Sequence, residues 1–207
     1  MCYGDSYTWG YVPSSDHDRF PSDVRWTGIL QKELGENFEV IEEGLNGRTL
    51  VSDDPRLGKE GRNGKEYLLP CLDSQDPLDL VILFLGTNEL KDIFTMSADE
   101  IGQTVEKEYI QMINTHKFQT KKKPQILLIS GPIFDLSKEY AIEKYKHAKE
   151  KNLALAGIYR NIAEINHCKF IDAAQIVKVG SDGVHFDEVN HNKFGKALAN
   201  EVLKLRL

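Results

Sequence analysis

The sequence predicts an α/β fold, a three-layer α/β/α sandwich around a parallel sheet, and two observations carry that expectation. First, Leu78-Asp79-Leu80-Val81-Ile82-Leu83-Phe84-Leu85, ending in Gly86, and Gln125-Ile126-Leu127-Leu128-Ile129-Ser130, ending at Gly131-Pro132, are nearly continuous apolar runs of strand length. A strand covered by helices on both faces reads this way, whereas a strand with one wet face alternates. Second, the stretches between such runs carry apolar residues at helical spacing. Strands that alternate with helices pair in parallel through right-handed crossovers.

Along the chain, only Met1-Cys2-Tyr3 precedes Gly4-Asp5-Ser6, so the first strand, usually central in such a sheet, is expected to be very short. Trp26, Ile29, Leu30 and Leu34 share one helical face, and Gly35 follows as a C-cap. Phe38-Glu39-Val40-Ile41, closing near Gly44, reads as the second strand. Residues 53–64 are polar, with Gly58, Gly61 and Gly64, and read as a surface loop. Ile101, Val105, Tyr109, Met112 and Ile113 form a second helical stripe, with Ser97 and Glu100 spaced as a capping box before it. Leu155, Ile158, Tyr159 and Ile162 form a third stripe. Lys169-Phe170-Ile171-Asp172 is the faintest strand, and Phe194, Leu198, Val202 and Leu205 mark a C-terminal helix. With 207 residues and no repeat, low-complexity tract or linker, the chain reads as a single domain over 1–207.

Composition narrows the function classes. The net charge of -6 argues against nucleic acid as a partner, because phosphate contacts need clustered Lys and Arg. The basic run Lys121-Lys122-Lys123 reads as a solvated loop. No apolar run is long enough to span a bilayer, so no membrane partner is expected. Cys2, Cys71 and Cys168 are odd in number and widely spaced, which suits neither a disulfide framework nor a paired-cysteine zinc site. Free thiols, and no secretory leader read at the N-terminus, lead to an expectation of cytoplasmic localisation.

Ligands of a parallel sheet bind outside the carboxyl ends of its strands. Four motifs fall there. Gly4-Asp5-Ser6 puts a hydroxyl at the end of the first strand, with Asp5 able to hold the turn through backbone donors. Asp182-Gly183-Val184-His185 joins an imidazole base to an acceptor that can orient it, as an activated serine requires. Gly86-Thr87-Asn88-Glu89 follows the strongest strand and offers the Asn88 amide to a developing oxyanion. Gly44-Leu45-Asn46-Gly47-Arg48-Thr49 follows the second strand, and Gly47 can present a backbone N–H where a side chain would obstruct a carbonyl. Each motif alone reads equally as an ordinary turn or solvated loop. Their joint occurrence supplies a nucleophile, oxyanion donors and an acid–base pair.

The order Gly-Asp-Ser, Gly, Gly-x-Asn, Asp-x-x-His resembles the SGNH/GDSL hydrolase family across almost the whole chain. The resemblance implies a flavodoxin-like sheet of five parallel strands. It implies Ser6 as nucleophile, the Ser6 and Gly47 backbone N–H groups and the Asn88 side chain as oxyanion donors, and Asp182 and His185 as the acid–base pair. Tyr3-Gly4-Asp5-Ser6-x-Thr8-Trp9-Gly10, Arg25-Trp26-Thr27-Gly28, Val40-Ile41-Glu42-Glu43-Gly44-Leu45 and Leu85-Gly86-Thr87-Asn88 look like the bacterial aryl-esterase/acyltransferase branch. That branch implies a homo-oligomer hydrolysing short-chain esters, with acyl transfer to alcohols in some members. Neither metal nor organic cofactor is needed for such chemistry. Trp9, Tyr11 and Phe134 are expected to wall the crevice beside Ser6, favouring acetyl-sized acyl groups. Three other readings stand beside this one. A carbohydrate O-acetyl esterase would use the same triad, and a catalytically silent binding protein would retain the pocket without the reaction. A flavodoxin-like nucleotide binder is disfavoured, because no phosphate-cradling glycine-rich loop precedes a helix.

Overall fold

The computed structural model describes residues 1–205 and 207. Its strands are β1 (Cys2–Gly4), β2 (Glu42–Gly44), β3 (Leu80–Phe84), β4 (Gln125–Ser130) and β5 (Lys169–Asp172). They pair in parallel in the order β2-β1-β3-β4-β5, with Tyr3 of β1 opposite Glu43 on one side and Leu83 on the other. The chain enters at β1 and winds out in both directions, so β1 has neighbours on both sides despite its three residues.

Side chains alternate across each strand, and both faces are apolar, which is why the sequence runs are continuous. Leu80, Ile82 and Phe84 of β3, with Leu127 and Ile129 of β4, face one core. Val81 and Leu83, with Ile126 and Leu128, face the other. The first core is closed by α2 (Trp26–Leu34) and α8 (Glu188–Val202), through Trp26, Leu30, Phe194, Leu198 and Val202. The second is closed by α3 (Gly64–Gln75), α4 (Ala98–Val105), α5 (Gln111–Thr115) and α7 (Lys149–Ile165). The short helices α1 (Ser6–Trp9) and α6 (Glu139–Tyr145) complete the set. Between α4 and α5 the chain makes a π turn, Glu106–Ile110. The four-residue steps from Ile101 to Val105 to Tyr109 outrun an α-helical period of 3.6, and the wider turn absorbs the excess.

The expected helix starts and stops recur where local chemistry dictates them. Gly35 closes α2 with φ 75°, and Ser97 and Glu100 form the reciprocal capping box of α4. Two expectations are corrected. Phe38–Ile41 is not a strand, and the edge ladder runs over Glu42–Gly44 instead. The register sets Cys2 beside Glu42, and just before the ladder the Ile41 carbonyl accepts from the Cys2 N–H. α3 lies where the sequence, with Pro70 in mid-helix, shows no clean helical stripe. Burial of Leu68, Cys71 and Leu72 against the sheet outweighs the lost backbone bond. Among the described residues, no helix is long and apolar enough to cross a membrane.

Candidate active site

Ser6 stands at the carboxyl end of β1 as the first residue of α1. Asp5 is the N-cap, and its Oδ1 accepts from the Tyr7 N–H at 3.1 Å, which holds the turn as the sequence suggested. As the first helical residue, Ser6 has a backbone N–H for which the helix offers no carbonyl.

The Asp-Gly-Val-His segment folds into a tight turn that aims its own imidazole. Asp182 Oδ1 accepts from the backbone N–H groups of Val184 and His185, both at 2.9 Å, while Oδ2 meets His185 Nδ1 at 2.6 Å. Burial by itself would raise the Asp182 carboxyl, but the bond from the His185 ring, the attraction of that ring whenever it is protonated, and the two backbone donors hold it below the usual carboxylate range. An ionised carboxylate only accepts, so the ring proton sits on Nδ1 and Nε2 is left with its lone pair. Nε2 lies 3.1 Å from Ser6 Oγ. Gly183 adopts φ 79°, and a Cβ there would stand 2.4 Å from the Asp135 carbonyl, so both conformation and crowding require glycine. The Asp135 N–H bonds back to the Gly183 carbonyl at 2.9 Å.

Two further motifs converge on the same edge. Asn88 opens a 3-10 turn, Asn88–Leu90, directly after β3. Its Nδ2 donates to the Arg48 carbonyl at 2.9 Å and, over a longer 3.4 Å, to Asp5 Oδ2. Gly47 takes φ 80° in the turn after β2. A Cβ there would meet only Arg62 side-chain atoms, at 3.9 Å, so the backbone conformation rather than protein crowding calls for glycine. Beneath the site lie two buried acids. Burial pushes the carboxyls of Asp5 and Glu89 up to about 7 each.

Of the expected aromatic walls, Tyr11 lies with its ring 4.4 Å from the His185 imidazole, and Trp9 stands 6.5 Å from Tyr11. Phe134 is corrected. It is buried in the core against Tyr145, 4.7 Å between ring centroids. After β4, the Asn152 side chain of α7 pins the chain by accepting from Phe134 N and donating to Pro132 O, which turns Phe134 inward. Tyr140 on α6 stands near the imidazole instead, 5.7 Å from it, a residue in no apolar stripe and so invisible to periodicity. Tyr7 was likewise missed. Its hydroxyl donates to the Val184 carbonyl at 2.8 Å, tying the Ser6 helix to the Asp-His turn, while its ring stacks on Phe84. Cavity size does not locate this site. A cavity of about 530 Å³ opens at the opposite end of the sheet, lined by Met1, Leu30, Phe38, Leu78 and Val202, and holds none of these groups. Among the described residues, no group of three or more His, Cys, Asp or Glu is placed to hold a metal ion.

Comparison with known proteins points the same way. A sequence model of the GDSL-like lipase/acylhydrolase family matches residues 2–191. The fold is similar to the aryl esterase of M. smegmatis, with a TM-score of 0.90 and 37% identity over 99% of this chain and 97% of that one. It is similar to a carbohydrate acetylesterase from Sinorhizobium meliloti, with a TM-score of 0.90 and 32% identity over 98% of this chain and 96% of that one. A lipase/acylhydrolase from Enterococcus faecalis, at 18% identity and a TM-score of 0.66, shares the fold. No curated protein sequence matches the chain.

Proposed function

The chain belongs to the GDSL-like lipase/acylhydrolase family and is a carboxylic ester hydrolase, and from that premise we propose that Ser6, His185 and Asp182 carry the reaction through an acyl-enzyme. The observation behind the assignment is the unbroken bond chain from Asp182 through His185 to Ser6 Oγ. His185 Nε2 takes the Ser6 hydroxyl proton as Oγ attacks the ester carbonyl. Asp182 stays ionised and steadies the imidazolium that forms. The tetrahedral oxyanion is met by the Ser6 and Gly47 N–H groups and by the Asn88 N–H that otherwise makes the long 3.4 Å bond to Asp5 Oδ2. The bond to the leaving oxygen breaks as His185 returns its proton to that oxygen, freeing the alcohol. Water then attacks the acyl carbonyl, gives its proton to His185, and leaves as the acid when the proton returns to Ser6. An alcohol in place of water would give a new ester, so acyl transfer uses the same machinery.

The substrates proposed are short-chain, acetyl-type esters, because Tyr11 and Tyr140 stand close to the imidazole and narrow the space beside Ser6. The likeness to a carbohydrate acetylesterase favours a second reading in which the ester is an O-acetylated sugar. A single domain over 1–207, a cytoplasmic location and a homo-oligomeric assembly are part of the same proposal. The deciding experiment is Ser6→Ala assayed on p-nitrophenyl acetate, with folding checked by circular dichroism. Hydrolysis is expected to vanish, and wild-type turnover in the folded mutant would end the assignment. Acetylated sugars run beside an acyl-length series of aryl esters separate the two substrate readings.

A further inference from the structure

Lys91 has no role in the reaction described above, yet it is a buried lysine at the site's edge, 5% exposed. Burial draws its ammonium down to about 8, the Arg56 charge adds to that, and Asp54, Asp5 and Glu89 oppose it. A buried ammonium without an acceptor is strongly unfavourable. Its acceptor is the Asn88 side chain, with Lys91 Nζ donating to Asn88 Oδ1. The geometry follows from the 3-10 turn. Three residues make one turn, so positions 88 and 91 stand on one side of it, and the Lys91 N–H bonds the Asn88 carbonyl at 3.2 Å as well.

We propose that Lys91 is the positioning residue of the oxyanion hole, fixing the Asn88 amide from its oxygen end so that its nitrogen faces the reacting carbonyl. Three contacts set the amide plane, Lys91 on Oδ1 and, on Nδ2, the Arg48 carbonyl and the more distant Asp5 Oδ2. Without the lysine, Oδ1 loses its donor and the amide is held from its nitrogen end alone, by the Arg48 carbonyl and the long bond to Asp5, so it tilts away from the reacting carbonyl. The ammonium also polarises the amide, strengthening the N–H at its far end. The inference rests on Asn88 being an oxyanion donor.

The test is a double-mutant cycle on Asn88 and Lys91, with kcat expressed per active site counted by burst titration with an activated organophosphonate, so that misfolded protein drops out. Lys91→Met is expected to lower kcat per site about tenfold or more, with KM changed less than about threefold. Lys91→Gln, which keeps a donor, should recover part of the loss. In an Asn88→Ala background, Lys91→Met should cost nothing further. A wild-type kcat per site in Lys91→Met while Asn88→Ala is impaired would overturn the inference, as would an equal loss from Lys91→Met in both backgrounds. A wild-type kcat in Asn88→Ala would instead remove the donor assignment itself.

Discussion

The groups proposed to react owe their state to single atoms. Asp182 accepts three hydrogen bonds, and these decide which imidazole nitrogen faces Ser6. Asp182→Asn preserves shape but presents either an N–H or a weaker acceptor to Nδ1, so the ring loses its preference for the useful tautomer. kcat on p-nitrophenyl acetate is expected to fall on the order of 10³–10⁴-fold with KM little changed, read by steady-state kinetics. These partners were legible in the sequence because an Asp three residues before a His reaches it through one turn. Lys91 and Tyr7 were not. Lys91 is a polar residue singled out only by its burial and its bond to Asn88, and the Tyr7 acceptor lies at Val184, far along the chain.

The Asp182–His185 turn works as an element only because Gly183 allows it. Gly183→Ala would place a methyl group against the Asp135 carbonyl and force an alanine into the left-handed region. A loss of about 2–3 kcal/mol is expected, from backbone strain plus overpacking, together with a fall in kcat as the turn shifts. Urea unfolding midpoints and turnover check the two effects separately, and an unchanged midpoint would contradict the crowding argument. Other elements were read from the sequence to differing depths. β4 and β5 form over the residues the pattern marked, because a doubly covered strand and its bounding turns are local signals. β2 lies several residues later than the apolar run, because an edge strand's extent is set by its register with its neighbour rather than by its own pattern. α3 was missed since its Pro70 contradicts propensity and only tertiary burial overrides it.

At the scale of the molecule, α2 and α8 are joined by His191, whose Nδ1 accepts the Trp26 N–H at 3.2 Å. It is 1% exposed, and burial lowers its imidazole to about 3. A histidine depressed from 6.5 to about 3 is neutral in the fold and charged in the unfolded chain across that window, so its contribution is lost as pH falls from 6.5 toward 3. Asp5 and Glu89 act oppositely. With folded carboxyls near 7, they favour the fold while protonated, and that contribution declines as pH rises from their ordinary values through 7. The histidine effect is therefore isolated by difference. His191→Asn retains an acceptor that does not titrate. Relative to wild type, its urea stability should improve by on the order of 2 kcal/mol between pH 6.5 and 4.5. An identical pH dependence in both proteins would refute the linkage.

Read alone, the amino-acid order determined the layered α/β architecture, the Gly35 and Ser97–Glu100 helix caps, and the residue types of the candidate site with their places at strand ends. Those signals are short in range, since periods of 2 and 3.6 and the chemistry of a turn are complete within a few residues. Only the tertiary structure brought His185 to Ser6 across 179 positions, seated Lys91 on the amide of Asn88, and exchanged Phe134 for Tyr140 beside the imidazole. Such contacts depend on sheet register, crossover path and burial, which are settled by the packing of the whole chain rather than by any segment within it.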